Sequence, residues 1–183
     1  MTEEDIIRRC LGGEKEMYSI LVERYQTMVL TIAYRMLGDE DGAKDVAQES
    51  FVSAYVSLKK FKRDSKFSTW LVSITINKCR DLLRSKKSDV PIEEMEGTLQ
   101  DREPNPEDVL RRSQGEEGLQ KALAGLPEEY REALVLKHVQ GLDYKEMAAL
   151  TGVSIGALKV RTYRAREMLK ELLKKRGLID EQE

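Results

Sequence analysis

The sequence predicts an all-α protein built as two small helical domains, an N-terminal helical bundle and a C-terminal four-helix domain with a helix-turn-helix, joined by an acidic flexible linker. Three observations predict it. Only 4 of the 183 residues are proline, and apolar residues recur with a period near 3.6 rather than alternating. Gly38 and Gly152 stand where two of those patterns stop, as helix-ending glycines do. The third observation is the stretch 89–115, DVPIEEMEGTLQDREPNPEDVLRRSQG, which holds three of the four prolines, few large apolar residues and many charges. It reads as a mostly extended spacer.

The elements follow in order. A short helix is expected over 2–11. In EKEMYSILVERYQTMVLTIAYRMLG, residues Met17, Ile20, Leu21, Tyr25, Met28, Ile32, Met36 and Leu37 fall on one helical stripe that Gly38 ends. In DEDGAKDVAQESFVSAYVSLKKF, an Asp-rich start leads to Val46, Ser50, Phe51, Ala54, Tyr55 and Leu58 on one face. A further amphipathic helix runs from about Ser68 to Lys87, completing a bundle over residues 1–88. Beyond the linker, residues 116–183 divide into helices over 116–124, 127–140, 144–151 and 154–175. Pro127 is expected at the first helical position with Glu128 and Glu129 behind it at the positive helix end. Asp143 and Glu146 have capping-box spacing.

Composition and motifs narrow the function. No window approaches the roughly 20 apolar residues that span a bilayer, and MTEEDIIRRC is charged from its third residue, so a cytoplasmic protein without membrane insertion is expected. Cys10 and Cys79 stand far apart with no other ligand type beside them, which fits two ordinary thiols and no metal. The single histidine, His138, closes an apolar helix, where packing or favourable charge at the helix C-terminus explains it. No phosphate-loop, dinucleotide, nucleophile-elbow or zinc-protease motif occurs. The chain is expected to be no enzyme and to need no cofactor.

The net charge of −2 conceals strong segregation. Residues 39–54 carry five acids against Lys44, a net of −4, and residues 57–87 carry ten bases against Asp64 and Asp81, a net of +8. From Asp89 to Glu117 ten acids oppose three arginines, a net of −7, while residues 155–176 have eight bases against Glu167 and Glu171, a net of +6. Because charge is screened within about 8–10 Å, two basic patches can hold nucleic acid locally despite the acidic total.

The second basic patch has a reader's geometry. A helix-turn-helix needs a small residue where its helices cross, a turn glycine and an apolar anchor. Ala148, Gly152 and Leu158 supply these at offsets of four and ten, with Val153 and Ile155 beside them. A helix entering the major groove presents its N-terminal residues to base edges. That brings Lys159, Arg161, Tyr163 and Arg164 within reach of bases or flanking phosphates, while Arg166, Lys170, Lys174 and Lys175 lie further along, where backbone contact or solvation is expected.

The first basic patch is of another kind. In SLKKFKRDSKFSTWLVSITINKCRDLLRSKK, Lys59, Lys60, Lys62, Arg63 and Lys66 interleave with Phe61, Phe67 and Trp70 before a helix bearing Asn77, Lys78, Arg80 and Arg84. Basic groups attract phosphates and aromatic faces stack on unpaired bases, a mixture suited to opened DNA. The residues alone leave a second possibility equally open, in which Phe61, Phe67, Trp70, Leu71 and Ile74 are core beneath a solvated basic face.

DVAQESFVSAY and KFSTWLVSITINKCRDLLR resemble the core-binding and promoter-opening helices of bacterial sigma factors. LPEEYREALVLKHVQGLDYKEMAALTGVSIGALKVRTYRARE resembles their −35-reading region. The two-module plan is similar to the extracytoplasmic-function (ECF) group of the sigma-70 family, over nearly everything except the linker and the last residues. The resemblance implies a subunit that directs core RNA polymerase to promoters. The family's acidic pattern maps onto Asp45, Gln48 and Glu49, implying contact with the β′ clamp helices, and the C-terminal module would meet the β flap. The loop with Lys62, Arg63, Ser65, Lys66 and Phe67 would take a flipped −10 base, and Asn77, Arg80 and Arg84 would hold that strand. Ser154, Lys159, Arg161, Tyr163, Arg164 and Arg166 would serve the −35 duplex. An anti-sigma factor is an expected partner. Two departures stand out: Val160 follows Lys159 where many relatives have a small polar residue, and Asp64 and Ser65 make the loop less positive.

Two other classes remain to be weighed. A dimeric duplex-binding regulator would need a dimer interface, and no leucine-zipper heptad presents one. An enzyme acting on nucleic acid would need clustered carboxylates or metal ligands, and none is evident.

Overall fold

In the computed structural model of the chain, the described residues are 1–62, 64–88 and 110–179. Among them there are helices and turns and no strand. The helices are α1 (Glu3–Leu11), α2 (Tyr18–Leu37), α3 (Glu40–Ser57), α4 (Phe67–Ser88), α5 (Leu110–Ala124), α6 (Glu128–Leu134), α7 (Tyr144–Thr151) and α8 (Ile155–Lys175).

Local chemistry sets their ends. Thr2 and Asp5 form a capping box at α1, and the Asp39 side chain accepts the amides of Asp41 and Gly42 at the start of α3. The capping box expected from Asp143 and Glu146 opens α7. Gly38 and Gly152 end α2 and α7 at φ 74° and 73°, in the left-handed region where a side chain is strained.

α2, α3 and α4 pack side by side. At one end Ile6, Ile7, Leu21, Val29, Phe51, Ala54, Leu58, Phe67 and Leu71 form one core, closed over by α1. At the other end the core does not stop at the first four helices. Ile32, Met36, Val46, Val72, Ile76 and Cys79 share a buried cluster with Ala133, Val135, Leu136, Met147 and Leu158 of the C-terminal half. The two halves therefore meet through a common apolar layer. α5, α6 and α8 complete that half around Leu123, Leu126, Leu134 and Ala165.

Several expectations are corrected. Within the stretch 89–115, α5 already begins at Leu110, ahead of the helix start expected at 116. The charge density there hid a helix whose later turns are anchored by buried Gln120, Ala122 and Leu123; helices extend easily from an anchored turn. The rest of that stretch, 89–109, lies outside the described residues. Pro127 is the N-cap of α6, in extended conformation, rather than its first helical residue. The helix expected over 127–140 changes at Val135–Val139 to a π turn, a local widening of the helical ladder.

Candidate nucleic-acid interface

The acidic face of α3 forms as expected. Val46, Ser50, Phe51 and Ala54 turn inward, which leaves Asp45, Gln48 and Glu49 exposed on the opposite side. Glu49 lies 3.3 Å from the Lys78 ammonium of α4, a solvated pair of small worth. Beside this face, α2 and α3 border an apolar cleft of about 700 Å³ lined by Tyr18, Val22, Leu30, Gln48, Val52 and Tyr55. Val52 of this cleft is 58% exposed, and Val56 one turn further along α3 is 76% exposed. Periodicity did not find this cleft, because it is formed by two helices at once.

The aromatic-basic loop divides by side-chain type. Phe67 is 1% exposed and is packed by Phe61, Trp70 and Tyr25, with ring centroids 5.6–5.7 Å apart. Its place in the DNA-contacting set is thereby corrected: it is core, because α4 begins there and aims the ring at the Leu21–Leu71 layer. Lys62, Ser65 and Lys66 are exposed above it, and Trp70 is half-buried. Arg63 lies outside the described residues. Further along α4, Asn77 and Arg84 are exposed, and Asn77 Oδ1 accepts a hydrogen bond from Arg80 at 3.2 Å. Arg80 is not free. Its Nε and Nη2 donate to the two carboxylate oxygens of Glu132 at 2.7 and 2.6 Å, a fork-to-fork pair that holds its pKa above the ordinary arginine value.

The helix-turn-helix is α7, the turn at Gly152 and α8. Ser154 caps α8 by accepting the Ala157 amide at 3.2 Å. Leu158, Thr162 and Ala165 bury one side of α8. The 3.6 period then sends Lys159, Val160, Tyr163 and Arg164 outward, with Tyr163 65% exposed, and Arg166 is exposed as well. Arg161 departs from this set: it turns sideways to Glu129 of α6, 2.8 Å away. Lys159 stands 6.0 Å from the centre of the Tyr144 ring and Lys137 4.8 Å from it, so cation–π attraction also biases the position of Lys159.

Sequence reasoning passed over the contacts between the halves. Arg131 is 8% exposed and donates to the Met36 carbonyl at the end of α2 and to the carbonyls of Ala124 and Leu126. There the negative helix ends offset its charge, while burial lowers its pKa. Arg35 meets Glu116 at 2.6 Å and Gln120 at 3.1 Å. No pattern in EEYREAL distinguishes these residues from a solvated helix start. Among the described residues no cluster of side chains fits a metal ion, and no helix is long and apolar enough to cross a membrane.

Comparison with known proteins agrees with this geometry. Residues 21–88 match the family model for Sigma-70 region 2, and residues 116–169 match that for Sigma-70, region 4. The chain is 34% identical to the RNA polymerase sigma-H factor of Pseudomonas aeruginosa, with 93% of each chain covered. It is 32% identical to the ECF RNA polymerase sigma factor SigW of Bacillus subtilis, covering 92% of this chain and 95% of that one. Among solved structures it is similar to CnrH in complex with the cytosolic domain of CnrY (TM-score 0.69, 27% identity, 93% and 96% covered). It is likewise similar to the sigma factor RpoE in complex with the anti-sigma factor NepR from Bartonella quintana (TM-score 0.69, 26% identity, 86% and 96% covered). These relatives are transcription initiation factors rather than enzymes. The chain belongs to the sigma-70 family and is an RNA polymerase sigma factor of the ECF type.

Proposed function

We propose that this sigma factor seats on core polymerase through the face of α3 bearing Asp45, Gln48 and Glu49, reads the −35 duplex with α8, and captures the opened −10 strand along the 62–66 loop and α4. The observation that carries the reading is the division of α8. One side is anchored by Leu158, Thr162 and Ala165, and the other leaves Lys159, Tyr163 and Arg164 exposed at the N-terminal end. That is the arrangement a groove-reading helix requires.

Each surface has chemistry suited to its partner. Carboxylates and an amide on adjacent turns of α3 suit arginines of the β′ clamp helices, and the cleft at Leu30, Val52 and Tyr55 suits an apolar side chain beside them. Lys62 and Lys66 suit phosphates, Ser65 suits a base edge and the face of Trp70 a stacked base. Holding an extruded base stabilises only the open duplex, so it shifts the melting equilibrium without an energy source. Arg80 and Arg84 then meet the phosphates of that strand, and the C-terminal half meets the β flap. The two solved relatives are bound to CnrY and NepR, which supports an anti-sigma partner for this chain also.

Run-off transcription with core polymerase tests the reading. A promoter-specific transcript is expected from the reconstituted holoenzyme, and its absence together with absent core binding would sink it. Changing Asp45 and Gln48 together to Ala should weaken core binding at least about tenfold while leaving duplex binding by the helix-turn-helix unchanged. Equal loss of both would overturn the assignment of α3.

A further inference from the structure

One residue on the outward side of α8 has no polar group to offer DNA. Val160 is 50% exposed, on a helix whose buried side is Leu158, Thr162 and Ala165. The 3.6 period sets Val160 directly opposite that side, with Lys159 on one flank and Arg164 on the other. A single exposed valine is ordinary on most surfaces. This one stands between two cations, in the middle of the face that a groove would meet.

One turn earlier stands Gly156, also exposed. Glycine is the poorest helix former after proline, and the fold gives no reason for it at this place. Its φ is not positive, and a β-carbon there would meet no atom within 4 Å. Alanine would therefore fit, and would favour the helix. The missing side chain leaves bare backbone in the first turn of α8, the part of a reading helix that faces base edges. A helical side chain leans toward the N-terminus, over the preceding turn, so Val160 covers the bare turn at Gly156. Its β-branch holds χ1 nearly fixed in a helix, which keeps its methyl groups in place at little further entropic cost.

A valine side chain neither donates nor accepts a hydrogen bond. In the major groove the base pairs present donors, acceptors and one hydrocarbon group, the 5-methyl of thymine. We propose that Val160, lying over the bare turn at Gly156, packs on the 5-methyl group of a thymine in the −35 duplex, while Lys159 and Arg164 beside it bind base edges or phosphates. The proposal rests on the reading of α8 as the −35 helix. It makes Val160 a specificity-determining residue: the cations supply affinity, and the valine selects thymine at one position.

Holoenzyme reconstituted from core polymerase and the full chain provides the test. It selects duplexes from a randomised pool, and each thymine in the −35 part of the enriched sequence is then replaced by deoxyuridine, which removes only the 5-methyl group. With the wild-type chain, one such replacement should weaken binding about fourfold. Val160→Ser should weaken binding of the intact duplex by about the same factor, and the replacement should then have no further effect. Gly156→Ala should keep or raise thermal stability yet bind the selected duplex less tightly. An enriched −35 sequence without thymine, or a methyl effect that persists in Val160→Ser, would overturn the proposal. Undiminished binding by Gly156→Ala would overturn it as well, since the bare turn would then not face the duplex. So would weaker assembly of Val160→Ser with core polymerase, which would place the valine against protein. The double change of Lys159 and Arg164 to Ala separates the two levels. Unchanged binding of the selected duplex by that variant removes the reading of α8 itself. Weaker binding by it, with no thymine methyl that matters to the wild-type chain, removes only the role of Val160.

Discussion

The two faces of the N-terminal bundle are treated in opposite ways. The outward side of α3 leaves Asp45, Gln48 and Glu49 in solvent, next to an apolar cleft that no segment of the described chain fills. The face of α4 around Trp70, Ser73 and Asn77 looks across an open cleft at α7, and Arg80 beside it is paired with Glu132 of α6. One face stands in open solvent, and the other is bordered by the C-terminal half. How available a charged side chain is therefore depends on what the C-terminal half packs against as well as on its local sequence.

The largest expected effect comes from the residue that serves both the reader and the shared layer. Leu158 is 2% exposed and belongs to the cluster joining the halves. Leu158→Ala should lower stability by about 2–5 kcal/mol, read by denaturant unfolding. It should also abolish duplex binding while core binding through α3 persists, provided the bundle stays folded by circular dichroism. Parallel loss of core binding in a still-helical protein would erase the contrast between the two faces.

A smaller effect belongs to the exposed part of α8. Arg164→Ala should cost about 1–3 kcal/mol of −35 duplex affinity if the side chain reads a base edge. If it meets only a phosphate, affinity should fall uniformly across sequences and the salt slope should drop by about 1. Arg161→Ala is the useful comparison, since Arg161 is held by Glu129. An equal loss for both residues would show that this pairing does not withhold Arg161 from DNA.

The smallest effect is a pH dependence. Burial, and secondarily Glu132, push the Cys79 thiol up to about 12. A raised thiol pKa means that the neutral form persists through the range where an ordinary thiol ionises, near pH 8.5. Alkylation of Cys79 in the native chain should therefore stay slow from neutral pH to about pH 9.5, whereas a free model thiol accelerates by more than tenfold. A Cys79 rate that tracks the model thiol would show that the shared layer opens readily and would weaken the contrast drawn above.

Much of this molecule was legible before its structure. The stripes through Leu21, Ile32 and Met36, and through Val46, Ser50 and Phe51, are buried as their periodicity requires. The Asp143–Glu146 box and the Gly38 and Gly152 stops sit at the ends they predicted. Exposure of Asp45, Gln48 and Glu49 followed from the same periods. The misreadings share a cause. Phe67 was ambiguous because an aromatic beside lysines looks alike whether it stacks on a base or on Tyr25 and Trp70. The start of α5 was hidden because its anchoring partners lie on α2 and α8, far away in sequence.

By itself, then, the sequence determined the helices, their inward and outward sides, the helix-turn-helix spacing and the placement of charge, since these depend on neighbours within a few turns. Only the tertiary structure decided which of the exposed-looking charges are free. Arg80 and Glu132 are 52 positions apart, Arg131 and Met36 are 95 apart, and no local period relates such residues. Their meeting depends on how two apolar faces close over one another.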